Sequence, residues 1–279
     1  MQKNKIGLGV ITCDRKDFLE KCLNSVQEHT KSINDFELVL INDGFEDLEY
    51  NNVKCIKTTG KTGVGNAKNI ALKHLMDSEC EHIFLMEDDV QIIDSNVFDT
   101  YIKTSKITGV KHLNFALHGN HNKDLYGNFT IRRVINYPDD TKLCLYPNLL
   151  GAFSYYHIDV LNSSGLMDEQ FYNALEHVDH TYQIIKKGFH PPFRWFADVF
   201  ESYKLLSDIV PDHQQSKIRS EEDFISNFFK NHEKFINKNK FSVINGQGPA
   251  ENMYSEEEVI KELQIIWKNH HDPESINKK

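Results

Sequence analysis

The sequence has no long hydrophobic run, no paired-cysteine motif and no excess of positive charge. Its longest apolar stretches, such as 6–11 and 83–86, are far shorter than the roughly 20 residues that span a bilayer, and no secretory signal is predicted. Its 41 acidic residues outnumber 32 lysines and arginines among 279 residues, which argues against general nucleic-acid binding. Five cysteines without a Cys-x-x-Cys pair fit neither a disulfide scaffold nor a zinc ribbon. We therefore expect a cytoplasmic protein with reduced thiols.

Short apolar segments alternate with amphipathic ones in the first part of the chain. Strands are predicted at 6–12, 36–41, 53–56 and 82–86, and helices follow the first and third. This alternation predicts parallel pairing with right-handed crossovers, hence an α/β sandwich. Ligands bind at the carboxyl ends of the strands in such sheets, so polar residues at these ends are expected to converge on one edge.

The remainder of the chain predicts further elements. A helix is expected near 97–107, strands near 112–117, 129–135 and 143–146, a hairpin turn at Asp139-Asp140, and a mobile surface loop at 118–128. A helix is expected at 176–187 with Gly188 as its C-terminal cap, followed by an extended stretch at 193–199. Two C-terminal helices follow, the first from Ser220 with Phe224, Ile225, Phe228 and Phe229 inward, the second after the capping box Ser255-x-x-Glu258.

Three consecutive carboxylates, Glu87-Asp88-Asp89, directly follow an apolar predicted strand. Their mutual repulsion at a partly buried sheet edge requires a compensating cation. Mn²⁺ or Mg²⁺ would supply it, with oxygen ligands from the carboxylates and from a phosphate-bearing substrate. The alternative is a solvated acidic turn, and the position after a buried strand favours the metal site.

A glycine-rich segment, 60–69, precedes the second predicted helix. Its glycines permit close backbone approach and a helix start favours anions, which is typical of phosphate binding. It lacks the Gly-Lys-Ser/Thr end of a P-loop and the third glycine of a dinucleotide fingerprint, so an ordinary turn remains an alternative.

In their order, these motifs resemble glycosyltransferases of the GT-A fold, most closely the inverting family 2. The resemblance covers roughly residues 6–200. Thr12-Cys13-Asp14-Arg15 is similar to the family's first-strand segment, and Asn42-Asp43-Gly44 to its acidic turn that holds uracil and ribose. Gly63-Val64-Gly65-Asn66-Ala67-Lys68-Asn69 is similar to its helix start, with Lys68 where arginine is usual, and Glu87-Asp88-Asp89 to its Asp-x-Asp motif.

The resemblance implies roles for these residues. Asp89 would bind the metal directly, while Glu87 and Asp88 would meet the ribose or a metal-bound water. The nucleotide-sugar-binding residues implied in this way, together with Lys217 as a cation for the diphosphate, are Thr12, Asp14, Arg15, Asp43, Gly65, Lys68, Asn69, Glu87, Asp88 and Lys217.

A later block, 151–188, is also similar to the family, but it departs from the family pattern where the general base is expected. Family 2 members place an Asp directly after the Glu as base and an Arg four residues past the second Asp; here His177 and Gln183 stand there. An acceptor hydroxyl must lose its proton to a carboxylate or imidazole. We expect Glu176 first, Asp179 second and His177 third in this role; a helix start stabilised by acidic residues is the alternative.

Histidines offer further metal ligands. His213, in a polar C-terminal loop, is the best candidate by resemblance to enzymes that gain a histidine there, although a solvated histidine is equally consistent. His118 and His121 have ligand-like spacing, but we interpret them as solvated residues of the loop at 118–128.

The sequence thus predicts a GT-A, Rossmann-like α/β/α sandwich with a mostly parallel central sheet and a C-terminal helical extension. Residues 1–210 would form the catalytic domain, with a nucleotide-sugar half at 1–90 and an acceptor half at 91–210, and 211–279 the extension.

The expected activity is metal-dependent transfer from a UDP-sugar to a glycan or glycoconjugate hydroxyl in bacterial surface polysaccharide synthesis. The alternatives are a retaining transferase, a sugar-nucleotide pyrophosphorylase, whose glycine-rich signature should follow the first strand, and a noncatalytic binding subunit. The C-terminal helices could cover the site, contact a membrane-proximal acceptor at the inner face of the membrane or mediate self-association.

Overall fold

The computed structural model describes residues 4–50, 53–210, 222–244, 246–248 and 253–272. The strands are β1 (Ile6–Thr12), β2 (Phe36–Asn42), β3 (Lys54–Lys57), β4 (His82–Glu87), β5 (Val90–Ile92), β6 (His112–Asn114), β7 (Arg133–Asn136), β8 (Lys142–Tyr146), β9 (Phe153–His157), β10 (Phe196–Val199) and β11 (Leu206–Asp208). The helices are α1 (Lys16–Thr30), α2 (Val64–Asp77), α3 (Val97–Thr108), α4 (Ile158–Ser164), α5 (Glu176–Lys186), α6 (Phe224–Asn239) and α7 (Glu256–His271).

The central sheet has six strands in the order β3-β2-β1-β4-β9-β6. The first four are parallel, with Thr12 opposite Asn42 and Ile11 opposite Glu87, so the polar strand ends meet at one edge as predicted. Strand β9 runs antiparallel to both of its neighbours. The sequence analysis did not predict β9, because its buried residues show no alternation of apolar and polar side chains.

Helix α2 packs on one face of this sheet. Its residues Leu75 and Ala71 pack against two glycines of β1. A Cβ on Gly7 would lie only 2.8 Å from Leu75 Cδ2, and a Cβ on Gly9 only 2.6 Å from Ala71 Cβ. The two glycines therefore permit the close approach of the helix to the sheet, which fixes the position of the helix start near the polar edge.

Helices α1, α3 and α7 cover the opposite face. Leu19 of α1, Phe98 of α3 and Leu263 of α7 join one continuous core with Leu8 and Phe84 of the sheet. The capping box of α7 is confirmed, because the Ser255 hydroxyl accepts from the Glu258 backbone and the Glu258 side chain accepts from the Ser255 backbone. The last helix is thus packed against the same core as the sheet.

The predicted inward face of α6 is wrong for Ile225 and Phe229, whereas Phe228 packs against the core as predicted. Ile225 is 67% exposed and Phe229 50% exposed, whereas Asn231 and Phe235 are buried. The Asn231 amide donates to the carbonyl oxygens of Tyr172 and Ala174 at 2.7 and 3.0 Å. These buried hydrogen bonds help to set the rotation of the helix, and they are not visible in the spacing of its phenylalanines.

Some predicted strands and helix starts also differ in extent. The strand predicted at 112–117 ends at Asn114, that at 129–135 begins at Arg133, and the extended stretch at 193–199 becomes a strand only from Phe196. Helix α6 begins at Phe224. No helix within the described ranges is long and apolar enough to cross a membrane.

His82 generates a prediction about stability and pH. It is buried, its Nε2 has no hydrogen-bond partner among the described residues, and burial lowers its pKa to about 3. The folded protein therefore binds fewer protons here than the unfolded chain, so its stability is full above pH 6.5 and declines as the pH falls toward 3. Between pH 7 and 5, wild-type protein should lose about 2 kcal/mol more unfolding free energy than His82→Gln. Urea denaturation at both pH values measures this difference, and equal losses in the two proteins would contradict it.

Candidate active site

A cavity of about 370 Å³ opens at the polar edge of the central sheet. It lies between the end of β4, the segment 147–152, the start of α5, the turn at 118–121 and the end of β11. The residues with ionisable side chains that line it are Arg15, Glu87, Asp89, His118, His121, Glu176, His177, Arg194 and Asp208. The structure thus brings Glu87 and Asp89 of the acidic triplet and the start of α5 to the same opening.

Asp88 points away from this opening into the protein. It is fully buried, accepts from Thr12 Oγ1 at 2.6 Å and forms an ion pair with Arg15. Burial raises the pKa of Asp88 to about 7, and the neighbouring Asp89 carboxylate adds to the increase. The hydrogen bond between Thr12 and Asp88 therefore joins the ends of β1 and β4, and Arg15 balances the charge of Asp88.

Asp89 differs from its neighbour because one of its oxygens is left over. Oδ2 lies 3.2 Å from the guanidinium nitrogens of Arg15, while Oδ1 is buried and has no hydrogen-bond partner in the described part of the chain. A buried carboxylate oxygen without a partner is costly unless a cation or donor meets it.

His118 lines the same cavity as Asp89, a position that the sequence did not predict. Its Nδ1 is 2.6 Å from Asp208 Oδ1, and the Gly119 amide donates to Asp208 Oδ2 at 2.8 Å. Although burial opposes it, the interactions with Asp208, Asp89 and Glu87 raise the pKa of His118. The interpretation of His118 as a solvated loop residue is wrong, because pairing with Asp208, some 90 positions away in sequence, fixes this end of the loop.

Lys68 ties three parts of the site together. Its ammonium donates to Glu87 Oε1 at 2.6 Å and to the Gly151 carbonyl at 2.9 Å, and it lies 3.8 Å from Glu176 Oε1. Burial opposes the charge, but Glu87 and Glu176 outweigh it and raise the pKa of Lys68. Lys68 is therefore a buried, charged link between α2, the end of β4 and the start of α5.

Glu176 and His177 form a pair at the start of α5. His177 Nδ1 lies 2.9 Å from Glu176 Oε1, and the Glu176 side chain is only 4% exposed, against 23% for His177. Burial alone would raise the pKa of Glu176, but His177 and Lys68 outweigh burial and lower it to about 2. Glu176 is thus an ionised carboxylate held inside the protein, and His177 is the more exposed member of the pair.

Asp179, the second predicted base, is held elsewhere. It is buried and accepts from Lys238 at 2.7 Å and from Asn239 at 2.8 Å, both at the end of α6. It does not line the cavity. Its contacts fasten α6 to α5, which is a structural role.

The glycine-rich segment is held mainly by one carboxylate. Asp43 accepts from the hydroxyls of Thr58 and Thr62 at 2.7 and 2.6 Å, and from the amides of Thr62 and Gly63 at 2.8 and 3.0 Å. The Val64 amide donates to the Asn173 side chain at 3.0 Å. These amides, which would otherwise be available to a phosphate, are therefore bound to protein oxygens in this structure.

The other predicted nucleotide-binding residues lie around this edge. The Asp14 carboxylate accepts from the Phe45 amide at 2.7 Å, and Asn69 exchanges hydrogen bonds with the backbone of Met167 at 2.9 Å. Gly65 gives room to Glu176, because a Cβ there would lie 3.1 Å from Glu176 Cβ. His213 and Lys217 lie outside the described residues.

Comparison with known proteins shows which family and which folds this chain resembles. Residues 8–98 match the family model of glycosyl transferase family 2, and no curated protein matches the sequence. Among solved structures, S. aureus TarS 1-349 in complex with UDP is 14% identical, with 87% of this chain and 74% of that chain covered and a TM-score of 0.53. The longer TarS structure has 46% of its length covered by this chain.

Two further structures contain Mn²⁺ together with a nucleotide or a nucleotide-sugar. The mannosyltransferase PcManGT from Pyrobaculum calidifontis, in complex with GDP-Man and Mn²⁺, is 11% identical, with 77% of this chain and 59% of that chain covered and a TM-score of 0.51. GalNAc-T7 with UDP, GalNAc and Mn²⁺ is 12% identical, with 85% and 48% covered and a TM-score of 0.54. The GT-A fold and the resemblance to family 2 are confirmed.

Lys68 generates a prediction about folding. Replacing it with methionine leaves Glu87 and Glu176 without their shared cation, and breaking a buried pair in this way costs about 3–5 kcal/mol. Lys73→Met, on the exposed side of the same helix, is the matched control and should change stability by less than about 0.5 kcal/mol. Urea denaturation of both variants measures the difference. If Lys68→Met were as stable as Lys73→Met, the linking role of Lys68 would be refuted.

Proposed function

We propose that this chain, a glycosyltransferase of the GT-A fold, transfers a sugar from a UDP-sugar to a hydroxyl of a glycan or glycoconjugate. The observation that carries the proposal is Oδ1 of Asp89, which is buried and has no partner among the described residues, in a side chain that lines the same cavity as Glu87 and His118. It supports binding of a cation together with an anionic donor. Complexes of similarly folded proteins with UDP and with UDP-GlcNAc support the choice of uridine.

A divalent cation fits this site only if the donor helps to bind it. Among the residues that the structure describes, no group of three or more His, Cys, Asp or Glu side chains is close enough to hold a metal ion alone. Glu87 and Asp88 are already paired with Lys68 and Arg15, so Asp89 is the protein ligand that we propose. Mg²⁺ and Mn²⁺ suit such a site because they accept one or two carboxylates together with phosphate oxygens and water.

The cation would act as a Lewis acid on the leaving diphosphate. Arg15 lies beside Asp89 and is the described cation placed to pair with a phosphate when the metal takes over the Asp89 carboxylate. We also propose His213 as a further metal ligand, as the resemblance implies, and Lys217 as a cation that pairs with the diphosphate.

The acceptor is proposed to bind on the side of the cavity near α5. Phe193, Phe196 and Phe228 line this side, and the partly buried Phe228 is the ring that we propose to stack against a sugar. Residues 1–90 would then hold the donor and 91–210 the acceptor, with α6, through Phe228, as part of the wall. This reaction requires neither self-association through the extension, 211–279, nor its contact with a membrane surface.

The proposed setting is the synthesis of a bacterial surface glycan in the cytoplasm. Free, buried thiols at Cys22, Cys80 and Cys144 support a reducing compartment.

Asp89 provides the test. Thermal unfolding of wild-type protein is measured with UDP, GDP, CMP and TDP, each with and without Mn²⁺. UDP with Mn²⁺ at about 100 times its Kd should raise the Tm by about 5–10 °C. Asp89→Ala should abolish the Mn²⁺-dependent part of this shift, because it removes the proposed metal ligand.

Asp99→Ala, an exposed aspartate in the first turn of α3, is the matched control and should retain the shift. A normal Mn²⁺-dependent shift in Asp89→Ala would refute the metal assignment. The absence of a shift with every nucleotide in wild-type protein would instead favour a binding protein for another ligand.

A further inference from the structure

We propose that His177 is the general base that deprotonates the acceptor hydroxyl, and that Glu176 is its positioning residue. The proposal rests on the proposed function and deepens it. It differs from the family pattern, in which an aspartate occupies this position, and it reverses the order expected from sequence, in which Glu176 came first.

The three candidate bases differ in what their side chains can reach. Asp179 is bound to Lys238 and Asn239 and does not line the cavity. Glu176 lines the cavity, but its side chain is 4% exposed and it lies between Lys68 and His177. His177 also lines the cavity and is 23% exposed. Of the three, His177 is therefore the side chain best placed to meet an acceptor.

The pair with Glu176 sets the tautomer of His177. Because Glu176 is ionised, it can only accept a hydrogen bond, so His177 Nδ1 must carry the proton that lies between them. In the neutral ring, Nε2 is then the atom with a free lone pair. This is the arrangement in which a buried carboxylate orients an imidazole for proton transfer.

Two glycines make room for this arrangement. A Cβ on Gly151 would lie 3.0 Å from His177 Cγ and 3.1 Å from Lys68 Nζ, and a Cβ on Gly65 would lie 3.1 Å from Glu176 Cβ. The ring of His177 thus packs directly on the backbone at Gly151, and Glu176 on the first turn of α2. Both members of the pair are held by rigid neighbours, which restricts their orientation.

The proposed step is a single displacement. The acceptor oxygen forms a bond to the anomeric carbon while its proton passes to His177 Nε2. The bond from the anomeric carbon to the diphosphate oxygen breaks, and its electron pair leaves with UDP. The imidazolium then returns its proton to solvent. Attack opposite the leaving group inverts the anomeric configuration.

Replacement of His177 by alanine and by aspartate tests the base. The probes are UDP-GlcNAc, UDP-glucose and UDP-galactose with Mn²⁺. The measured quantity is the rate of donor hydrolysis, in which water is the acceptor and UDP is released, at saturating donor. His177→Ala should lower this rate by about 10²–10⁴-fold. Its UDP-induced Tm shift should equal that of wild-type protein, because the pair is not a donor ligand.

His177→Asp separates a base from a merely structural residue. A carboxylate in this position should recover part of the rate, and the acidic limb of the pH–rate profile should move to lower pH because a carboxylate loses its proton at lower pH than imidazole. The charged and titratable groups that interact with His177 are Glu176 on its own helix and His112 on β6, and Lys68 of α2 lies beside it at Gly151. They are unchanged in this variant.

Glu176→Gln tests the positioning role. It should lower the rate less than His177→Ala does, with the Tm shift by UDP retained, because the imidazole remains but is held less firmly. His29→Gln, a partly exposed histidine on α1, is the matched control and should have the wild-type rate and pH profile.

Three outcomes are decisive. A wild-type rate in His177→Ala, or an unmoved acidic limb in His177→Asp, overturns the assignment of the base while the Tm shift by UDP leaves the proposed function intact. A transferred sugar that keeps its anomeric configuration, read by NMR of the product, also overturns it. A wild-type protein with neither UDP release nor a Tm shift overturns the proposed function and this assignment together.

Discussion

The arrangement of the site depends on one buried ammonium group, that of Lys68. It is 1% exposed and lies within 4 Å of Glu87, Glu176 and the Gly151 carbonyl. It therefore joins the edge of the sheet where we propose that the metal binds to the helix that carries the proposed base. A buried charge of this kind is stable only with its partners in place. The proposed donor and acceptor sides of the cavity are therefore held in a fixed relative position by the same cation.

The three carboxylates of the acidic triplet have different surroundings. Glu87 is neutralised by Lys68, and Asp88 is buried with Thr12 and Arg15. Asp89 keeps one buried oxygen without a partner in the described residues. Two of the three carboxylates thus fix the edge of the sheet, and the third is left for a ligand. The repulsion among them, which the sequence indicated, is met mainly by protein cations before any metal binds.

Much of the fold was predictable from the order of apolar segments. Strands β1, β2 and β4, helix α1 and the capping box at Ser255 follow from local periodicity and local hydrogen bonding, and the structure confirms them. Strand β9 and the buried face of α6 were missed. Both depend on contacts distant in sequence, such as the hydrogen bonds of Asn231, which leave no local signal.

The sequence by itself determined which residue types stand at the ends of the parallel strands, because strand order and the alternation with helices place those ends on one edge. It also determined that a histidine replaces the usual aspartate at position 177. Only the tertiary structure decided which of these residues are held by protein partners and which line the cavity. Asp179 is paired with Lys238 of α6, and His118 is held at the cavity by its hydrogen bond to Asp208. Such partners are chosen by packing across the fold, which spacing along the chain does not encode.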